Sequence, residues 1–90
     1  MEKAHILVKG RVQGVGFRWF VQSEAERRGL TGTVKNLNDG SVEIWTEGRK
    51  KDIEALITLL EVGNGYSKVI HYSLHWSIPE NLWNDFTILF

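Results

Sequence analysis

The chain contains no cysteine among its 90 residues. A disulfide framework, thiolate catalysis and a cysteine-based metal site are therefore excluded, and stability has to come from a packed core. Proline is nearly missing as well: Pro79 is the single one, and no stretch reads as a linker. Neither sign of charge prevails. Eleven Lys and Arg balance eleven Asp and Glu, which argues against a nucleic-acid partner, since such modules carry a broad basic surface. No apolar run approaches transmembrane length, and the apolar part of the opening MEKAHILVKGRV is too short for a secretory signal. The expectation is one domain over residues 1–90, cytoplasmic, with no membrane association. The 42% of hydrophobic residues, ten aromatics among the 90, can furnish its core.

What the chain does have is concentrated between Lys9 and Arg18, in KGRVQGVGFR. An apolar strand pattern precedes this segment and a helical one follows it. Gly10, Gly14 and Gly16 allow a tight strand-to-helix turn, whose N–H groups point into a concavity at the positive end of the helix. Such a nest binds phosphate-like anions, and Arg18 adds a planar fork of donors. From Lys3 to Ser23 the charged residues are Lys3, Lys9, Arg11 and Arg18, with no acid until Glu24. A glycine turn can also answer a purely steric need. Neither the Walker nor the Rossmann glycine pattern is present, which disfavours nucleotides. Arg18 taken alone reads as a solvated helix residue, yet a cation in the first turn opposes the helix dipole and calls for compensation.

The remaining periodicities order the elements. His5 to Lys9 reads as a central strand, and Phe17, Phe20, Val21 and Ala25 as a helix stopped by Gly29. Leu30 to Leu37 and Val42 to Trp45 form a hairpin around Asn38-Asp39-Gly40. Ile53, Leu56, Ile57 and Leu60 mark a second helix ended by Gly63, with Arg49, Lys50 and Lys51 at the end its dipole would keep acidic. Lys68 to Ile78 alternates, placing Ile70, Tyr72, Leu74, Trp76 and Ile78 on one face, and Phe86, Ile88 and Phe90 make a last short strand. This β-α-β-β-α-β order predicts an α+β split βαβ sandwich, an antiparallel sheet with both helices on one face. Strand parity puts Asn36 on the same face as Val34, where an apolar residue is expected. It either serves the adjacent turn or projects an amide into a site. His5, His71 and His75 read as structural or solvated, since His71 and His75 stand too far apart on an extended strand to share a metal easily.

Two segments, GRVQGVGFR at Gly10 to Arg18 and GLTGTVKNLNDGSVEI at Gly29 to Ile44, resemble the signatures of the acylphosphatases, small enzymes that hydrolyse the carboxyl–phosphate bond. The likeness extends over nearly the whole chain. It implies a ferredoxin-like fold, Arg18 and Asn36 as catalytic residues and a phosphate-binding loop of Gln13, Gly14, Val15, Gly16, Phe17 and Arg18. It also implies an acyl phosphate as the small-molecule substrate, inorganic phosphate or sulfate as product or inhibitor, no cofactor or metal, and a monomer. Two features depart from the family pattern: Gly63-Asn64-Gly65, where Gly-Pro is common, and the Ile88-Leu89-Phe90 end. The alternatives are a non-catalytic domain that binds phosphate or carbamoyl phosphate, and an RNA-binding sheet. The latter would want aromatics on its central strands.

Overall fold

The computed structural model describes residues Met1 to Phe90. In chain order the elements are β1 (Glu2–Arg11), α1 (Phe17–Arg27), β2 (Thr31–Asn36), β3 (Val42–Gly48), α2 (Lys50–Val62), β4 (Lys68–Ser77) and β5 (Phe86–Leu89). The strands form one sheet in the order β4-β1-β3-β2-β5. β3 runs antiparallel to both β1 and β2, and β4 antiparallel to β1, as expected for two interleaved crossovers. The expected all-antiparallel sheet needs one correction: β5 joins the edge beside β2 in parallel, Val34 opposite Ile88. β4 and β5 occupy opposite edges, so the chain between them must cross the molecule. It is anchored at the end of the sheet where Lys3 pairs with Glu47. The buried Glu47 carboxylate accepts N–H bonds from Glu80 (2.6 Å) and Asn81 (3.0 Å), and Lys3 pairs with the Glu80 carboxylate.

The inward face of the sheet supplies Ala4, Ile6 and Val8 from β1, Val34 from β2, Val42 and Ile44 from β3, and Phe86 from β5. Phe17, Val21 and Ala25 of α1 and Ile53, Leu56, Ile57 and Leu60 of α2 close the core over it. The 3.6-residue spacing of the helical set and the two-residue spacing of the strand set are thus met by a single apolar layer. α1 ends in a Schellman arrangement: the Leu30 N–H reaches the Ala25 carbonyl and the Gly29 N–H that of Glu26, each at 3.0 Å. At the start of α2 the adverse charges are partly answered, because Arg49 donates to Asp52 at 3.0 Å and Lys50 lies 5.5 Å over the Trp76 ring.

The uninterrupted alternation expected along Lys68 to Ile78 is not what forms. Tyr72, Leu74 and Trp76 pack on the core as expected, but Ile70 and Ile78 are exposed, at 76% and 83%, and Val69 packs inward instead. The cause is a bulge. Lys9 pairs with His71 and Gly10 with Val69, so Ile70 has no partner and the phase flips. Gly10 permits this with φ 135°, and a Cβ there would lie 2.2 Å from the Lys68 carbonyl oxygen. Ile78 lies beyond the strand's last residue, Ser77. On the opposite face of the sheet His5 stacks on Trp45 at 4.0 Å and bonds the Glu43 carboxylate at 2.9 Å, whereas His71 and His75 are exposed.

Candidate active site

β1, β2 and β5 run in one direction, and their C-terminal ends open on the same side of the molecule. Here the chain leaves β1 through Val12–Gly16 and enters α1 at Gly16, which takes the left-handed conformation (φ 75°, ψ 16°). No side chain caps this helix start and its first turn has no acid. The first bond of the helix runs from the Phe20 N–H to the Gly16 carbonyl. The N–H groups of Phe17, Arg18 and Trp19 therefore have no intrahelical acceptor, and those of Gln13 to Gly16 have no protein acceptor either. The result is a helix N-terminus rich in unpaired donors, the arrangement that favours an anion.

A cavity of about 270 Å³ opens at this point, lined by Val12, Gly14, Gly16, Phe17, Arg18, Trp19, Asn36, Ile88 and Phe90. Arg18 reaches its edge from the first turn of α1. One guanidinium nitrogen, Nη1, donates to the Leu89 carbonyl at 2.9 Å, and the Phe90 ring lies 4.8 Å from the guanidinium carbon. These contacts hold the cation where the dipole alone would repel it. Asn36 enters from the last position of β2. Its Oδ1 is buried and has no hydrogen-bond partner. A buried acceptor left unmade costs about 1–3 kcal/mol, so its place in the lining suggests a ligand that donates to it.

The hairpin turn does not use Asn36. Leu37 donates its N–H to the Ser41 carbonyl at 2.8 Å, and the Asp39 carboxylate accepts the Ser41 N–H at 2.9 Å. The hydrogen bond from the Ser41 hydroxyl is the main reason that the Asp39 carboxyl titrates below its ordinary value of 3.8, with the Ser41 N–H next. Gln13 ties the glycine loop to that turn, its Nε2 donating to the carbonyls of Leu37 and Ser41, both at 2.8 Å.

Of the residues expected in the loop and the catalytic pair, Gly14, Gly16, Phe17, Arg18 and Asn36 line the cavity together. Gln13 and Val15 do not. The Gln13 side chain is engaged by the turn, and the Val15 carbonyl accepts a bond from Asn64 at 2.8 Å, so only their main-chain N–H groups remain to serve a ligand. Val12, Trp19, Ile88 and Phe90 complete the lining and lie outside the expected loop and catalytic pair. The helical spacing of Phe17 and Phe20 leaves Trp19 off the core face, and that was the available signal. No three His, Asp or Glu side chains converge anywhere in the molecule.

The acylphosphatase family model matches residues 4–88. The chain belongs to the acylphosphatase family. The acylphosphatase of Thermococcus kodakarensis is 44% identical over 80 residues, 89% of this chain and 88% of that one. That of Geobacillus thermodenitrificans is 48% identical over 69 residues, 77% of this chain and 73% of its own. The crystal structure of acylphosphatase from Bacillus subtilis superposes with a TM-score of 0.95 at 42% identity, covering both chains completely. The split βαβ sandwich is thus the acylphosphatase fold, and the glycine loop, α1 and the β2–β3 hairpin all lie within the matched residues. No helix is long and apolar enough to cross a membrane.

Proposed function

We propose that this chain hydrolyses the carboxyl–phosphate bond of acyl phosphates at the Arg18–Asn36 cavity. The leaving group is a carboxylate, which departs without a strong general acid, so a site lacking His, Cys or paired carboxylates suffices. The free N–H groups of the glycine loop and the Arg18 guanidinium hold the phosphoryl oxygens and match their charge as the bond breaks. Asn36 Oδ1 accepts a hydrogen bond from a water and aims its oxygen at phosphorus. The new P–O bond forms from that water, the bond to the carboxyl oxygen breaks and its electron pair leaves with the carboxylate. A phosphoryl oxygen takes the water's proton. The chain does this as a cytoplasmic monomer, and released phosphate competes for the same loop.

The observation that carries this reading is the buried, unpartnered Asn36 Oδ1 in the cavity that also holds Arg18 and the uncapped helix start. The lining offers no carboxylate, imidazole or thiolate to a metal ion. Hydrolysis of benzoyl phosphate and acetyl phosphate by the purified chain, with EDTA present, tests it. Turnover of either substrate is expected. Phosphate binding without turnover would make the chain a non-catalytic binding domain, and restoration of activity only by a divalent ion would overturn the metal-free mechanism.

A further inference from the structure

The turn between α2 and β4, Gly63-Asn64-Gly65, departs from the family pattern, and the hydrolytic reading leaves it unused. At its centre stands Asn64, partly buried and bonded through both ends of its side-chain amide. Oδ1 accepts the N–H groups of Tyr66 at 3.0 Å and Ser67 at 2.9 Å, which closes the turn. Those two donors fix which end of the amide is oxygen. Nδ2 is thereby turned to the glycine loop, where it donates to the Val15 carbonyl at 2.8 Å. Ser67 stiffens the turn further, its Oγ accepting the Asn64 N–H at 3.2 Å. Gln13 holds the same loop from the hairpin side, so the loop is pinned on either side of Gly14.

We infer that Asn64 is a positioning residue, whose bond to Val15 aims the Gly16 N–H at the phosphoryl group. The inference rests on the hydrolytic reading above. The Val15 carbonyl and the Gly16 N–H belong to one peptide unit, and no peptide bond in the chain is cis. In a trans unit the two groups point in opposite directions. Asn64 and Val15 wall a groove on one side of the loop, and neither lines the Arg18–Asn36 cavity. A carbonyl drawn to Asn64 therefore turns the Gly16 N–H away from that groove. Gly16 borders the cavity, and its N–H has no protein acceptor. Without the Asn64 bond this peptide unit rotates easily, because glycine tolerates both signs of φ. A rotation that brought the carbonyl to the cavity would set a negative dipole against the phosphoryl oxygens. The Asn64 bond opposes it.

The test combines amide NMR and kinetics, with inorganic phosphate as the probe, on the unmodified chain, Asn64→Ala, Asn64→Asp and Ser67→Ala. Phosphate should shift the Gly16 N–H resonance of the unmodified chain strongly. Asn64→Ala should raise the Kd for phosphate by roughly three- to tenfold and lower kcat/KM for benzoyl phosphate by a similar factor. That falls short of the hundredfold, roughly, of a donor lost outright, because the N–H is loosened and not removed. Ser67→Ala weakens the same turn but spares the Val15 bond, so Tm should fall while Kd and kcat/KM hold. Asn64→Asp keeps the acceptor for Tyr66 and Ser67 but, ionised, offers Val15 no donor. It should bind phosphate no better than Asn64→Ala at neutral pH, and better than Asn64→Ala below about pH 4, where its O–H donates. Asn64→Ala with a lowered Tm but unchanged Kd and kcat/KM overturns the inference. So does a Gly16 resonance that phosphate leaves in place. If phosphate shifts Gly16 and Asn64→Ala weakens its binding, yet the unmodified chain hydrolyses no benzoyl phosphate, the hydrolytic reading fails and the positioning of the anion stands.

Discussion

Replacing Asn36 with alanine separates two roles that strand parity alone left open. If Asn36 serves the hairpin, its loss should cost on the order of 1 kcal/mol of stability and leave turnover per folded molecule intact. The hydrogen bonds of the turn run through Asp39, Ser41, Leu37 and Gln13 instead. The Asn36 Oδ1 is a buried acceptor with nothing bonded to it. Removing such an atom relieves a desolvation cost of about 1–3 kcal/mol, of which a half-buried residue recovers the lower part. Asn36→Ala should therefore be neutral or stabilising by up to about 1 kcal/mol. For a domain of this size that is a rise in Tm of up to roughly 4–8 °C. Turnover should move the other way and fall by about a hundredfold or more, the scale of one lost preorganised transition-state hydrogen bond. Phosphate inhibition should persist, because Arg18 and the loop N–H groups are untouched. Steady-state hydrolysis of benzoyl phosphate, phosphate inhibition and thermal melting on one preparation read all three quantities. A near-normal kcat with a lowered Tm would refute the reasoning.

Two other perturbations address the same end of the molecule. Arg18→Ala should weaken both turnover and phosphate inhibition, and Arg18→Lys should recover little of either, because an ammonium cannot present the planar fork that here also donates to Leu89; full rescue by lysine in an inhibition assay would contradict that role. Asp39 has its folded-state pKa lowered by Ser41, so its contribution is present above the unfolded value and is lost as pH falls through the folded one. Asp39→Ala should accordingly lower Tm at pH 7, and its deficit against the unmodified chain should shrink as thermal melts are taken below pH 3.8.

Much of this architecture is legible in the sequence because each element is told by its own period. Phe17, Val21 and Ala25, or Ile53, Leu56, Ile57 and Leu60, specify a helix face without knowledge of what covers it. The discrepancies arise where a partner decides. Ile70 continues a clean alternation, and only the pairing with Gly10 of another strand turns it outward. Phe86 and Ile88 announce a strand, but not that it lies parallel beside β2. Arg18 and Asn36 were accessible, one as a cation at the wrong end of a helix and one as a polar residue on an apolar face. Both are local inconsistencies of the kind that function tolerates. Gln13 and Asn64 were not accessible in their actual roles, since each acts through main-chain carbonyls from a distant part of the chain. Main-chain groups leave no mark in residue type.

The most direct measurement is the rate of benzoyl phosphate hydrolysis by the purified chain as inorganic phosphate is titrated in. A hydrolytic site at Arg18 and Asn36 should show turnover well above the uncatalysed rate, with phosphate raising KM and leaving kcat unchanged. Hydrolysis no faster than in buffer, or inhibition that lowers kcat without changing KM, would contradict it.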